Sequence, residues 1–190
     1  LKDNDYLISL YEASTLDTLL VFTNLGNFLF IPIYTIFDMK FKDIGKHISN
    51  LVTLSEGEEV IASLKIEDFN ADLDITLASK NGMIKRTKLN EFKLLRYNKP
   101  VNCMKLKDDD LLVSVFISKY NNIFVATDTG YGLWYDILEI PIVGLRTSGV
   151  KSINLKLNEK VVSVNNFDTV DYISLITDKK TGKRIKLSEF

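Results

Sequence analysis

The chain holds one cysteine, one histidine, one tryptophan and three prolines in 190 residues. A single thiol, Cys103, cannot close an internal disulfide, which suits a reducing compartment. The lone His47 excludes a His-rich metal centre, and no Cys/His spacing of a zinc site occurs. No apolar run approaches the roughly 20 residues of a membrane-spanning helix, and the first residues carry no secretory-signal pattern. Phosphate loops, dinucleotide fingerprints, nucleophile elbows and kinase signatures are absent, so no catalytic constellation is expected. Alanine is scarce too, at five residues. Ile, Val and Thr instead number 19, 13 and 13, and Phe plus Tyr add 19. Side chains of that shape suit a pleated, half-buried surface, so an all-β fold is expected. With 46% hydrophobic and 26% charged residues, the chain is neither disordered nor collagen-like.

The formal charge of −1, from 24 Lys plus Arg against 25 Asp plus Glu, argues against a nucleic-acid partner only if charge is evenly spread. It is not. From Lys80 to Lys105 there are eight basic residues and one acid, Glu91; from Leu54 to Asp74 there are seven acids and one base, Lys65. Screening limits the reach of distant charge to about 8–10 Å, so local fields decide where a polyanion lands.

Four internal repeats organise the sequence. Thr23, Ser79, Thr127 and Thr177 each end a short apolar run, and Gly26, Gly82 and Gly130 follow three positions on, with Gly182 five on. Asn81-Gly82 is a hairpin signal, with a second strand after it. In a second column, Leu1, Leu54, Leu106 and Leu155 precede Asp5, Glu58, Asp110 and Glu159 by four residues, with Leu7, Val60, Leu112 and Val161 two further on. That pattern reads as a solvated acidic turn feeding a strand. Column spacings run from 48 to 56 residues. The segment Lys85–Phe92 recurs as Lys183–Phe190, with six of eight positions identical. Strand-rich repeats of this length predict propeller-like blades that cannot bury their apolar faces singly. Approximate repeats are 1–53, 54–105, 106–154 and 155–190, within a single domain. The chain begins inside one repeat and stops inside another, so an incomplete set of about four blades is expected.

The stretch from Leu7 to Gly26, and the later repeats with it, resembles the C-terminal domain of bacterial type IIA topoisomerase A subunits, the family of gyrase A and topoisomerase IV A. Within it, Phe41–Asn50 is similar to the topoisomerase IV form of Gram-positive bacteria. The resemblance implies a β-pinwheel of four-stranded blades that exchange strands. Its basic rim would bind and bend double-stranded DNA and present the transported segment to the cleavage core for ATP-dependent relaxation and decatenation. It further implies that the cleaving tyrosine, metal site and ATPase lie elsewhere. This chain would then need no cofactor and take no small-molecule substrate, while the parent enzyme needs Mg2+ and ATP. Partners would be the rest of the A-subunit homodimer, together with the ATPase B subunit in an A2B2 heterotetramer. The setting would be cytoplasmic and chromosome-associated, with peripheral membrane association by family analogy. The gyrase wrapping box does not occur here. Alternatives are a gyrase A wrapping domain, and a protein-interaction scaffold using acidic faces near Glu56–Glu59 and Asp108–Asp110.

The candidate DNA-binding residues are Lys85, Arg86, Lys88, Lys93, Arg96 and Lys99 in the second repeat, Lys42 and Lys46 in the first, Arg146 and Lys151 in the third, and Lys183 and Arg184 in the fourth. Arg can grip a phosphate through two N–H groups, and Lys supplies a point charge. Strand alternation turns one member of each Lys-Arg pair outward and the other away. Edge lysines also deter strand pairing, an alternative reading of the same residues. Lys179 and Lys180 read as parts of a longer polar turn. Phe30 and Trp134 occupy the Arg86 column in the first and third repeats, so patchy contact is expected. Trp134 and Tyr135 read as packing between blades, Cys103 as a small buried hydrophobe, and His47 as a loop residue.

Overall fold

The computed structural model describes residues 7–40, 42–95, 99–107 and 109–190. Among them the regular elements are β-strands and short 3-10 turns. The strands are β1 (Thr18–Thr23), β2 (Asn27–Pro32), β3 (Val60–Ile66), β4 (Asp74–Ser79), β5 (Met83–Lys88), β6 (Val101–Asn102), β7 (Leu112–Ile117), β8 (Asn122–Thr127), β9 (Gly132–Asp136), β10 (Val150–Lys151), β11 (Val161–Phe167), β12 (Tyr172–Ile176) and β13 (Gly182–Lys186). Four antiparallel hairpins, β1–β2, β4–β5, β8–β9 and β12–β13, stand where the apolar runs and glycines repeat.

Each hairpin turns through a residue in the left-handed region, at Gly26, Gly82, Gly130 and Lys180, with φ between 61° and 88°. The fourth turn is therefore no longer than the others, contrary to the expectation for Lys179 and Lys180. Lys180 donates its N–H to the Thr177 carbonyl at 3.0 Å, as Gly82 does to Ser79 at 3.1 Å. Gly182 belongs to β13.

Sheets cross the repeat boundaries. The first has the order β3-β1-β2-β6 and the second β10-β5-β4-β7. Each thus combines one hairpin with two strands of the next repeat. The third sheet, β11-β8-β9, and the fourth, β12-β13, follow the same plan with fewer strands. This is the all-β, propeller-like pinwheel with exchanged strands. β4 is buried at all six positions, its polar Asp74, Thr76 and Ser79 included; Ile75 and Leu77 join one core cluster and Ala78 the next. The core lies between blades. Phe22, Phe28 and Phe92 meet with ring centroids 5.1 to 6.1 Å apart between the first and second hairpins. Ile84, Ile123, Val125, Ile137 and Ile140 fill the next junction.

The two sequence columns prove to be partners. Thr23 Oγ1 donates to Glu58 Oε1 at 2.6 Å, Ser79 Oγ to Asp110 Oδ2 at 2.6 Å, and Thr127 Oγ1 to Glu159 Oε1 at 2.7 Å. A hydroxyl at the end of one hairpin therefore locks onto the acid that opens the next repeat. These acids are 5 to 7% exposed, so they are buried linchpins and not solvated turn tips. Such pairs satisfy groups whose burial alone would be costly. Leu1 and Asp5 of the same columns, and Asp108, lie outside the described residues.

The Glu159 carboxyl is held at about 2, first by the Lys156 backbone N–H and then by the Thr129 and Thr127 hydroxyls, against the opposing effect of burial. At Glu58, burial pushes upward, but bonds from Thr23, Asn27 and Ser55 together bring the carboxyl below its ordinary value. With folded values depressed, this stabilisation is complete above the ordinary value of 4.5 and is lost as pH falls from there towards 2. Thr127→Val should move the acid-unfolding midpoint to higher pH, measured by circular dichroism. An unchanged midpoint would rule out this junction as a source of acid resistance.

Candidate nucleic-acid interface

The Lys-Arg motif of the second repeat grips the protein itself. Lys85 lies in β5 with no exposed surface, and Arg86 is 9% exposed. Lys85 Nζ donates to the Gly144 carbonyl at 2.8 Å and to that of Leu145. Arg86 Nε donates to the Ile140 carbonyl at 2.9 Å, and its Nη1 lies 3.3 Å from Asp74 Oδ2. The Thr87 hydroxyl donates to the Val143 carbonyl at 2.9 Å, and Glu91 Oε2 accepts from the Leu145 N–H at 3.2 Å. Backbone bonds Arg86 N–H to Pro141 O and Val143 N–H to Arg86 O complete the seam. A third-repeat segment, 140–147, is thereby bound along β5. Gly149 then crosses so close that a Cβ there would come 2.3 Å from the Ile84 carbonyl oxygen, at a φ of +80°.

Direct phosphate contact by Lys85 and Arg86, expected from the sequence, is therefore blocked. Alternation fails as a guide because β5 is covered on both faces. Lys88 is half-exposed but paired, with Nζ 2.9 Å from Asp72 Oδ1 and 3.1 Å from Asp74 Oδ1. Arg96 lies outside the described residues. Lys93, Lys99, Arg146 and Lys151 are exposed, with no carboxylate within 4.0 Å among the described residues. Lys42 and Lys46 are exposed in the first repeat, with Lys46 Nζ 3.6 Å from the Phe37 ring centroid. Lys183 and Arg184 are exposed as well, and the Arg184 guanidinium stacks 4.6 Å from the Tyr172 centroid.

Strand exchange brings cations together that are far apart in the sequence. The Lys105 N–H donates to the Thr147 carbonyl at 3.1 Å, so exposed Lys105 adjoins exposed Arg146. Lys151 pairs with Met83 at the outer edge of the second sheet. Lys105, the last cation of the basic run from Lys80, and Lys107 are not among the candidate residues read from the sequence, because the acidic run after them masks their charge. That mask is partly removed on folding, since Asp110 is buried. Among the described residues five acids (Asp17, Glu58, Asp74, Asp110, Glu159) and two cations, Lys85 and Arg86, are buried, so folding withdraws more negative than positive charge from the surface. An acidic docking face loses Glu58 and Asp110 by the same burial.

The sequence profile described as "DNA gyrase C-terminal domain, beta-propeller" matches residues 17–67, 74–119 and 121–168. The chain belongs to this family. It is 39% identical over 191 residues to the A subunit of DNA topoisomerase 4 from Bacillus subtilis (strain 168), covering 100% of this chain and 24% of that protein. With the corresponding Staphylococcus aureus protein it shares 42% identity over 186 residues, 97% of this chain and 23% of the relative. The chain thus spans about a quarter of the length of the curated relatives it matches. The crystal structure of the C-terminal domain of DNA topoisomerase IV superposes with a TM-score of 0.94 at 39% identity, covering 100% of this chain and 59% of that one. A DNA gyrase A C-terminal domain gives 0.71 at 26% identity, over 93% and 56%. Likeness to topoisomerase IV is the higher on both measures.

In this gyrase-type propeller the third blade departs from the second. Trp134 replaces the buried Arg86 and is 40% exposed, its Nε1 donating to Asn122 Oδ1 at 3.0 Å. It lines a cleft of about 490 Å³ with Tyr172 and Leu187, at the junction of the third and fourth hairpins. Tyr135 packs on the second core cluster, with its hydroxyl 2.6 Å from that of Ser152. Cys103 is fully buried, and burial pushes its thiol up to about 12. Among the described residues no group of three or more His, Cys, Asp or Glu could hold a metal ion.

Proposed function

We propose that this chain is a non-catalytic DNA-handling domain of a type IIA topoisomerase of the topoisomerase IV kind. Exposed, unpaired cations on the inter-blade connections bind the phosphates of a duplex, and many such weak contacts hold it curved against the rim. One observation carries this reading: Lys93, Lys99, Lys105, Arg146 and Lys151 are exposed without carboxylate partners among the described residues, while five acids are withdrawn into the interior. Contacts of this type position DNA without reading its sequence. Lys42, Lys46, Lys183, Arg184 and Arg96 extend the proposed set; Lys85, Arg86 and Lys88 leave it.

In the complete enzyme, strand cleavage with its tyrosine and Mg2+, and ATP hydrolysis, would belong to the rest of the A-subunit dimer and to the B subunit of an A2B2 assembly. This domain would present the transported segment for relaxation and decatenation on the bacterial chromosome.

Anisotropy titrations of a labelled duplex test the reading. Affinity should fall steeply and log-linearly with salt, with no sequence preference, each neutralised phosphate contributing about 0.9 to the slope. Replacing Lys93, Lys99, Arg146 and Lys151 together by Gln should flatten that slope by about 3 to 4. No binding at low salt, or an unaltered slope, would overturn it.

A further inference from the structure

Lys85 is a charged group with no exposed surface, aimed at one short turn of another repeat. Its ammonium meets the carbonyls of Gly144 and Leu145, and more distantly Thr147 Oγ1 at 3.4 Å. The Thr147 hydroxyl itself donates to the Gly144 carbonyl at 2.8 Å, and the Thr147 carbonyl accepts from Lys105 N–H. Every polar group that fastens this turn to the second blade thus converges on the backbone flanking Arg146. The Arg146 side chain takes no part in the fastening and is exposed.

We infer that Lys85 is a positioning residue for DNA: it clamps the 144–147 turn so that Arg146, next to Lys105, forms a two-cation phosphate site across the boundary between repeats. This rests on the DNA-binding reading above. A clamp of this kind fixes the guanidinium's origin in advance, so less conformational freedom is lost when a phosphate arrives.

The clamp is strongest in the ammonium form. A neutral amine keeps two N–H donors for the Gly144 and Leu145 carbonyls, but it loses the charge assistance and the third donor that faces Thr147 Oγ1. Burial lowers Lys85 to about 8, opposed by the Glu91 carboxylate on the adjoining 3-10 turn. Cys103, pushed up to about 12, keeps its proton over the range that matters. DNA affinity should therefore fall as pH rises through about 8. Folding stability should move the other way. Because the folded value lies below the ordinary 10.5, the unfolded chain binds more protons between the two, and stability rises with pH across that window. A purely structural lysine would not send affinity and stability in opposite directions.

The test measures duplex affinity and thermal stability of the 190-residue chain from pH 7 to 9.5, for wild type, Arg146→Ala, Lys85→Met and the double variant. At neutral pH and low salt, Arg146→Ala should weaken binding roughly three- to tenfold and reduce the salt slope by about 0.9. Lys85→Met should match it, with the double variant no weaker than Arg146→Ala. The wild-type loss of affinity above pH 8 should flatten in Arg146→Ala, a readout that survives even if Lys85→Met does not fold. Additive losses, or the same pH profile in wild type and Arg146→Ala, would overturn the positioning role. An Arg146→Ala variant that binds as wild type does would overturn the two-cation site. Absence of wild-type binding at any pH would instead overturn the DNA-binding reading.

Discussion

Replacing Phe92 by alanine is expected to lower stability by about 3–5 kcal/mol, the largest effect of any single truncation considered. The ring is fully buried and packs edge-on against both Phe22 and Phe28, at 5.9 and 5.1 Å between centroids. It belongs to the second repeat, whereas its partners form the first hairpin, so the cavity would open between blades and not within one. Aromatic pairs of this geometry contribute beyond the area they bury. For a chain of this size, the change corresponds to a fall of roughly 6–20 °C in Tm. Repeats stacked in a row unfold by neighbours, so the first blade should also become sensitive to protease before the third does. A loss below about 1 kcal/mol in chemical denaturation would mean that the junction collapses onto the cavity and that the aromatic cluster does not hold the blades together.

The second large effect is expected from Arg86→Leu, at about 3 kcal/mol. Leucine fills much of the volume but leaves the Ile140 carbonyl without its side-chain donor and Asp74 without one of its cations. Removing one member of a buried pair strands the other, which is the origin of the cost. Lys88, 3.1 Å from the other Asp74 oxygen, keeps the figure at the low end. The double variant Arg86→Leu with Asp74→Leu should recover part of the loss, since both charges then go together. With Asp74→Leu measured alone as well, a double-variant loss equal to the sum of the two single losses would show that the pair carries no coupling.

Much of the architecture is legible in the sequence because its signals are local. A hairpin shows itself within about ten residues, through an apolar run, a turn residue in the left-handed region and a second run. The two columns are legible as repetition but not as partnership, since the hydroxyl and the acid that bond lie 31 to 35 residues apart. An acid near a turn reads as solvated unless its donor is known. The clearest case is the recurring motif. Lys85-Arg86 and Lys183-Arg184 sit in nearly identical eight-residue stretches, yet the first pair is buried and the second exposed. The first pair owes its burial to a segment more than 50 residues downstream that lies on β5. Composition and spacing cannot report such a partner, so a lysine that grips carbonyls looks like one that waits for phosphate. Lys93, Lys99, Arg146 and Lys151 are exposed as their positions predict, because they fall in connections or at a sheet edge and not in covered strands.

The exchange of strands between repeats also constrains how such a chain can gain or lose a module. Excising one repeat at its apparent boundary would remove a hairpin together with the two strands that finish the preceding sheet. The join would survive only if the following repeat offered replacement strands in the same phase, with a carboxylate arriving at the vacated hydroxyl. For the fold, duplication or shuffling therefore has to proceed in whole multiples of the period, whatever the cut point, while the exposed cations are constrained by binding and not by that lock-and-key spacing.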